Sequence, residues 1–373
     1  MKRLTGWALA LGLLLVPGCS ATEVSLSPAI RPDLTLGIGY ETVKDPETDW
    51  VALAAHLTEA QATGVTISVG RPEWVLFDWA GHEDAWASDG EDLVAAAISA
   101  LDAGADGSRE LTLVIDTLAP LMIAEDPQLA AIGPDGEASD SFPGAAALAT
   151  GPVGDQIVAL CETTAERYRP DRIALTELMI DNSFSDDDFE LWQEMTGNHD
   201  WPRDEGGDID TDADEIAQWR SAVISGLVNR CAQAAAEHDV ALDMDVRANW
   251  RDPSGDRALS GHIYTELIKV TDYLTVWNYF ALSGRDPSYS EQLTAGLAET
   301  LGDDLDAVTM CVGLWTNGDE ATGADRDNAL SPADMVAGLA ASATNGVRTV
   351  SVIPVSMMTD EHWAALIEWR ANT

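Results

Sequence analysis

At 373 residues the chain has room for two average domains or one large α/β barrel, and its 46% hydrophobic content permits a large core. Only 20 basic residues stand against 64 acidic ones, a formal charge of −44. That balance repels polyanions, so it argues against nucleic acid or anionic lipid head groups as electrostatic partners. It reads as a solvated acidic surface, with a cationic partner as the alternative.

In chain order, the first segment is "MKRLTGWALALGLLLVPGC" (1–19), with a basic start, a short apolar run and a closing Gly-Cys. The apolar run is too short to span a bilayer comfortably, so we read an export signal. "VPGC" resembles a lipoprotein cleavage box, which would make Cys19 the lipidated first residue of the mature protein. The expectation is an exported cell-membrane lipoprotein facing the outside or the periplasm, held to the membrane through Cys19. Simple secretion is the alternative. Residues 20–32 read as a tether.

From residue 33 onward, strand-like and helical patterns alternate. Strands are expected at "DLTLGIGY" (33–40), "VTISVG" (65–70), "LTLVIDTL" (111–118), "RIALTEL" (172–178), "VALDMDV" (240–246), "YLTVWNYF" (273–280), "AVTMCVGLW" (307–315) and "VRTVSVIPV" (347–355). Helical patterns fall near 47–62, 91–103, 154–168, 214–238, 259–269, 288–301, 331–343 and 359–370. Apolar strands joined by amphipathic crossovers imply a parallel sheet. Eight such units match the (β/α)8 TIM barrel, whereas doubly wound sheets more often have five to seven strands. No GxGxxG follows the first strand, which also speaks against a dinucleotide fold. We expect one α/β domain, a barrel over 33–373 with long βα loops.

In such a barrel the chemistry sits on the loops and strand ends of the C-terminal face. The chain has 13 Trp, more than its 5 Phe and 6 Tyr together, and eight of them (Trp74, Trp79, Trp86, Trp192, Trp201, Trp250, Trp277 and Trp315) map to that face. Trp covers the apolar face of a sugar ring while its N–H bonds a hydroxyl, so a sugar-stacking cleft is one reading. The other is that long loops use aromatic anchors to pack on the barrel.

Carboxylates collect at the same end. If the fourth strand stays extended, Leu175, Glu177, Met179 and Asp181 share one face and Glu177 points to the barrel axis. On the fifth strand, Asp243, Asp245 and Arg247 share a face. Asp116 ends the third strand and Tyr40 the first, while Trp277 and Tyr279 lie on one face of the sixth and Asn278 on the other. Glycoside hydrolysis needs a protonated carboxyl for the leaving oxygen and a second group as nucleophile, base or holder of the substrate's own nucleophile. Crowded carboxylates in a desolvated cleft raise one another's pKa and make such an acid available. Glu177 is the expected donor, with Asp181, Asp243 or Asp245 as the second carboxylate. The bland alternative is that these acids pair with Arg71 or Arg247 and only hold loops.

At this point the chain resembles the TIM-barrel glycoside hydrolase superfamily. "YRPDRIALTELMID" is similar to the helix-to-strand-four entry of those enzymes, and "DYLTVWNYF" to strand six of chitinase-like and poly-N-acetylglucosamine hydrolase-like barrels. The resemblance implies Glu177 as the acid and Tyr279 against a substituent of the sugar. It also implies a carbohydrate substrate at the cell surface, with Tyr40, Asp116, Arg247, Trp250, Trp277, Asn278, Tyr279 and Trp315 as substrate-binding candidates. The chitinase-type DxxDxDxE run is absent, Thr176-Glu177 stands where many retaining barrels carry Asn-Glu, and strand seven ends in Trp315 rather than Glu. Substrate-assisted retention and inversion both stay open.

Three further cysteines, Cys161, Cys231 and Cys311, match no zinc spacing. A Cys161–Cys231 disulfide stays open. The acidic loop "DEGGDIDTDADE" (204–215) lacks the Gly and Glu that a calcium loop needs, and its acids suit a helix N-terminus. No HExxH spacing and no GxSxG elbow occurs. No cofactor or metal is therefore expected. Two further readings compete with a glycosidase: a non-catalytic glycan-binding surface lipoprotein using the same cleft, and a metal-dependent hydrolase or lyase using the acidic loop.

Overall fold

The computed structural model describes residues 31–86, 90–104, 107–316 and 329–373. The export signal, Cys19 and all but the end of the tether lie outside the described residues.

Eight parallel strands form the barrel: β1 (Asp33–Ile38), β2 (Gly64–Arg71), β3 (Glu110–Asp116), β4 (Arg172–Thr176), β5 (Ala241–Arg247), β6 (Tyr273–Asn278), β7 (Val308–Gly313) and β8 (Thr349–Ile353), and Trp74–Val75 adds a short antiparallel strand to β2. Each pairs in parallel with its successor. β8 returns to β1 through Leu34↔Val350 and Leu36↔Val352, so the sheet closes into a barrel. This is the (β/α)8 architecture that the alternating pattern implies.

Crossover helices cover the outside: α1 (Trp50–Glu59), α2 (Leu93–Ala100), α3 (Pro152–Tyr168), α4 (Asp214–Ala236), α5 (Tyr264–Leu267), α6 (Tyr289–Leu301), α7 (Pro332–Ser342) and α8 (Asp360–Asn372). The outward strand residues Leu36, Ile67, Leu113, Leu175, Leu242, Val276, Val312 and Val352 are fully buried beneath this layer. Their burial is the main driving force for closure. Polar side chains set the helix starts: Asp49 and Asp92 accept from Ala52 N and Ala95 N, and Pro152 opens α3.

The long loops carry structure that the sequence pattern does not announce. Between β3 and β4 come helices Pro120–Glu125 and Ala145–Ala149, with a hairpin pairing Ala130–Ile132 and Ala138–Pro143. After β4, Ser185 and Asp188 form a capping box that starts helix Asp186–Thr196. In the acidic loop, Asp204 accepts from Gly206 N and Asp208 N. Cys161 and Cys231 are buried free thiols facing each other between α3 and α4, not a disulfide.

Candidate active site

A cavity of about 270 Å³ opens at the C-terminal end of the barrel and runs down its axis. Four of the expected acids reach it: Asp116 from β3, Glu177 just beyond β4, and Asp243 and Asp245 from β5. Tyr40, Trp277, Tyr279 and Trp315 form its aromatic wall.

Glu177 arrives there by a different route from the expected one. β4 ends at Thr176, and its inward residues are Arg172, Ala174 and Thr176, so strand alternation alone would turn Glu177 outward. Glu177 instead takes a left-handed backbone conformation, φ 58°, and this turn returns its side chain to the mouth. Such a conformation is uncommon for a residue with a Cβ and persists where its surroundings enforce it. The surroundings are visible. Thr117 donates to Thr176 O through its amide (3.1 Å) and its hydroxyl (3.0 Å). His262 bonds Leu178 O at 2.8 Å and accepts from Arg247 N at 2.9 Å. Ile180 N donates to Ser260 O at 3.1 Å. These partners assign His262 the neutral form protonated at Nε2, and burial pushes its pKa down to about 4.

The two acids of "TELMID" therefore part ways. Asp181 accepts from Ser260 Oγ (2.5 Å) and pairs with Arg247 Nη1 (2.8 Å), away from the cavity lining. Partial burial raises its pKa, but the Ser260 hydrogen bond and the Arg247 charge together outweigh it and hold Asp181 below the usual carboxylate range. Asp181 is thus engaged by Ser260 and Arg247 rather than by the cavity. Glu177 forms no salt bridge with a described residue. Burial first, and then the Asp116 charge, push it up to about 7 against the weaker pull of Arg247 and Arg71. Asp245 is also pushed up to about 7, by burial and then by Asp243, while Thr176 and Trp277 pull it down.

Asp116 lines the cavity but is tied to Arg71 Nε at 2.9 Å. Burial nevertheless leaves its pKa raised, with Arg71 working against that. Asp243 lies two residues deeper than Asp245, with Oδ2 accepting from Thr275 Oγ1 at 2.9 Å. Burial is the main cause of its raised pKa.

The aromatic wall is narrower than the Trp count suggests. Trp277 stacks on Tyr279 with ring centres 5.4 Å apart and planes 8° apart, and Trp315 leans on Tyr279 at 5.2 Å. A Cβ on Gly313 would lie 2.5 Å from Tyr279 Cδ1, so the bare β7 backbone at that point gives the ring its place. Across the mouth, Tyr40 meets Trp74 edge-on at 5.4 Å. Three of the other loop tryptophans, Trp79, Trp192 and Trp201, are buried anchors. Trp192 and Trp201 are buried with Trp219 in one cluster, and Trp79 is buried with its indole N–H on Thr163. Trp86 N–H bonds Trp79 O.

Three substrate-binding candidates fall elsewhere. Asn278 is fully buried on the outer face of β6, where its amide donates to Ser290 Oγ and Ser342 Oγ. Trp250 packs against Tyr289 of α6 at 5.7 Å. Arg247 is engaged with Asp181 and acts on Glu177 only through its charge. Residues that sequence reasoning passed over, chiefly Thr275, Cys311, Ser260 and His262, hold or surround the acids. No short motif marks them.

No protein-family model matches the chain, and no curated protein matches it by sequence. Solved structures do match by shape. The PgaB (BpsB) glycoside hydrolase domain from Bordetella bronchiseptica superposes with TM-score 0.63 at 12% identity, over 92% of this chain and 99% of that one. The catalytic domain of β-amylase from Paenibacillus polymyxa gives 0.60 at 12% identity, over 91% and 98%. The cold-adapted β-galactosidase from Rahnella sp. R3 gives 0.67 at 12% identity, over 93% of this chain but 56% of that one. At these identities the likeness is one of fold: the chain is a TIM barrel shaped like those of known glycoside hydrolases.

Proposed function

We propose that the protein is a glycoside hydrolase acting on a polysaccharide or oligosaccharide, with Glu177 as proton donor and Asp245 as the second carboxyl. One observation carries this reading: Glu177 and Asp245 share one cavity with an aromatic wall, both are pushed up to about 7, and neither is tied to an arginine among the described residues. Two carboxyls that titrate near neutrality in one cavity supply both an acid and a base at that pH. A sugar ring laid on Trp277, Tyr279 and Trp315 would present its glycosidic oxygen to Glu177 at the rim. Asp245, inside the barrel, would face the far side of the ring as carboxylate and act on the attacking water or on the sugar's own substituent. Tyr279, whose hydroxyl burial keeps protonated, would donate to that substituent. That the fold neighbours are named as glycoside hydrolases supports a carbohydrate substrate.

A cleft that only binds glycan has no need of unpaired acids. Asp116 and Asp181 are paired with arginines as that reading requires, but Glu177 and Asp245 pair with none of the described arginines. The test is turnover of a glycan panel by Glu177→Gln beside Asp181→Asn. The first should lose hydrolysis and the second keep most of it; equal activity in both would remove Glu177 from the mechanism. We also propose export and a lipid anchor on Cys19, carried by "MKRLTGWALALGLLLVPGC" alone. Its test is the mass of the N-terminal peptide in wild type and Cys19→Ala.

A further inference from the structure

The lower half of the cavity has no part in the reading above, and its chemistry is unusual. The interior of a parallel barrel is commonly filled by layers of bulky aliphatic side chains. Here Thr35, Thr66, Thr112, Thr275, Thr309 and Ser351 face inward, and the space between them continues down to Glu110 and Arg172 at the opposite end. Arg172, packed on the Tyr273 ring and paired with Glu110 at 3.2 Å, closes that end. Among the described lining residues it is the only cation.

Asp243 hangs into this shaft and is 3% exposed. Its Oδ2 is held by Thr275, but its buried Oδ1 has no hydrogen-bond partner among the described residues. Buried carboxylate oxygens are paired with protein or with water. The threonine and serine hydroxyls that face this part of the cavity can fix bridging waters for that oxygen. Asp245 projects into the same space two residues above, on the same face of β5.

We propose that the lower barrel is a hydrated proton shaft in which Asp243, through waters held by the surrounding hydroxyls, shares one proton with Asp245. With the proton on Asp245, the upper carboxyl is an acid. When it passes down, an O–H bond breaks at Asp245, one forms at Asp243, and the negative charge moves up to Asp245. Asp245 thus becomes a carboxylate while substrate blocks the mouth. Asp243 is a positioning residue, because it acts through Asp245. The proton-carrying and charged groups facing the pair are Arg172 from β4, Glu177 beyond it, Tyr279 beyond β6 and Cys311 from β7. Asp116, Arg71 and Arg247 act on Glu177.

The role given to Asp245 rests on the hydrolase reading, but the shared proton is measurable without substrate. Protein labelled with 13C at aspartate side chains is titrated by NMR as wild type and as Asp243→Asn. The wild type should show Asp243 and Asp245 moving together in two steps. In the variant Asp245 should titrate in a single step, at least one pH unit lower. A single-step Asp245 curve with the same midpoint in both proteins overturns the proposal. Should Asp243→Asn fail to fold, Thr275→Val strengthens the hold of Asp243 on the proton and should also lower the Asp245 midpoint; no change there overturns it equally. Loss of the hydrolase reading shows up separately, as glycan turnover that Glu177→Gln leaves untouched.

Discussion

The segment after β4 and the wall formed by β5, β6 and β7 draw on the same residue types and do opposite things with them. After β4, Trp192 and Trp201 are buried in a cluster with Trp219, and Asp181 is bound by Ser260 and Arg247. Along β5 to β7, Trp277 and Trp315 face a cavity, and Asp245 meets no arginine among the described residues. Aromatic and acidic density therefore does not distinguish an anchor from a site. Position relative to the barrel axis does, together with what each charge is paired to. Glu177 stands at the boundary, and one left-handed residue decides which side it joins.

The sharpest way to break this contrast is to neutralise acids on each side. Glu177→Gln and Asp245→Asn should each lower kcat by about 10²–10⁴-fold, the usual worth of a general acid or base, with the fold intact by circular dichroism. Asp181→Asn should change kcat little. Next in size is the aromatic contrast. Trp192→Ala or Trp201→Ala should cost about 3–5 kcal/mol in chemical denaturation, as large cavities in a core do. Trp315→Ala should leave stability nearly unchanged and raise KM about tenfold, which corresponds to about 1.4 kcal/mol. If the Trp192 variant loses substrate affinity at full stability, the division between anchor and wall is wrong.

Smaller effects follow from pH. Glu177 and Asp245 have folded pKa values of about 7, above their ordinary 4.5 and 3.8. The native state thus holds protons that the unfolded chain releases. Stability from these two groups is full below about pH 4 and is lost as pH rises through 7. Asp181, held low, acts in the opposite sense, and its contribution disappears as pH falls below 3.8. Melting temperature should therefore drop between pH 5 and pH 8 in the wild type, and the drop should shrink in Glu177→Gln and Asp245→Asn. The smallest effect belongs to the Asp181–Arg247 pair. It is partly exposed, so Arg247→Ala should cost only about 0–1 kcal/mol while moving the Glu177 inflection upward.

The barrel itself was legible. The expected strands coincide with β1 to β8 to within about two residues at nearly every end, because buried parallel strands are continuous apolar runs bounded by polar turns. β5 was legible to the level of side chains, since strict alternation sends Asp243 and Asp245 inward. β4 was not. Its alternation ends at Thr176, and the conformation of Glu177 depends on Thr117, Ser260 and His262, which are distant in sequence. Loop anchors and lining residues share one alphabet, so Trp192 and Trp315 look alike until neighbours are known. Asn278 was placed on the correct face, but that face looks into the helix layer, where Ser290 and Ser342 take up its amide. Pairing with Arg71 and Arg247 was an alternative the sequence offered for all these acids; that it takes Asp116 and Asp181 and not Glu177 is a property of the folded geometry.

The most direct test of the central claim is a crystal structure of Glu177→Gln soaked with an oligosaccharide that the wild type cleaves. A sugar ring should lie on Trp277 and Trp315 with its glycosidic oxygen beside residue 177 and its opposite face toward Asp245. A ring bound outside that cavity, or one whose scissile bond meets neither carboxyl, would contradict the account.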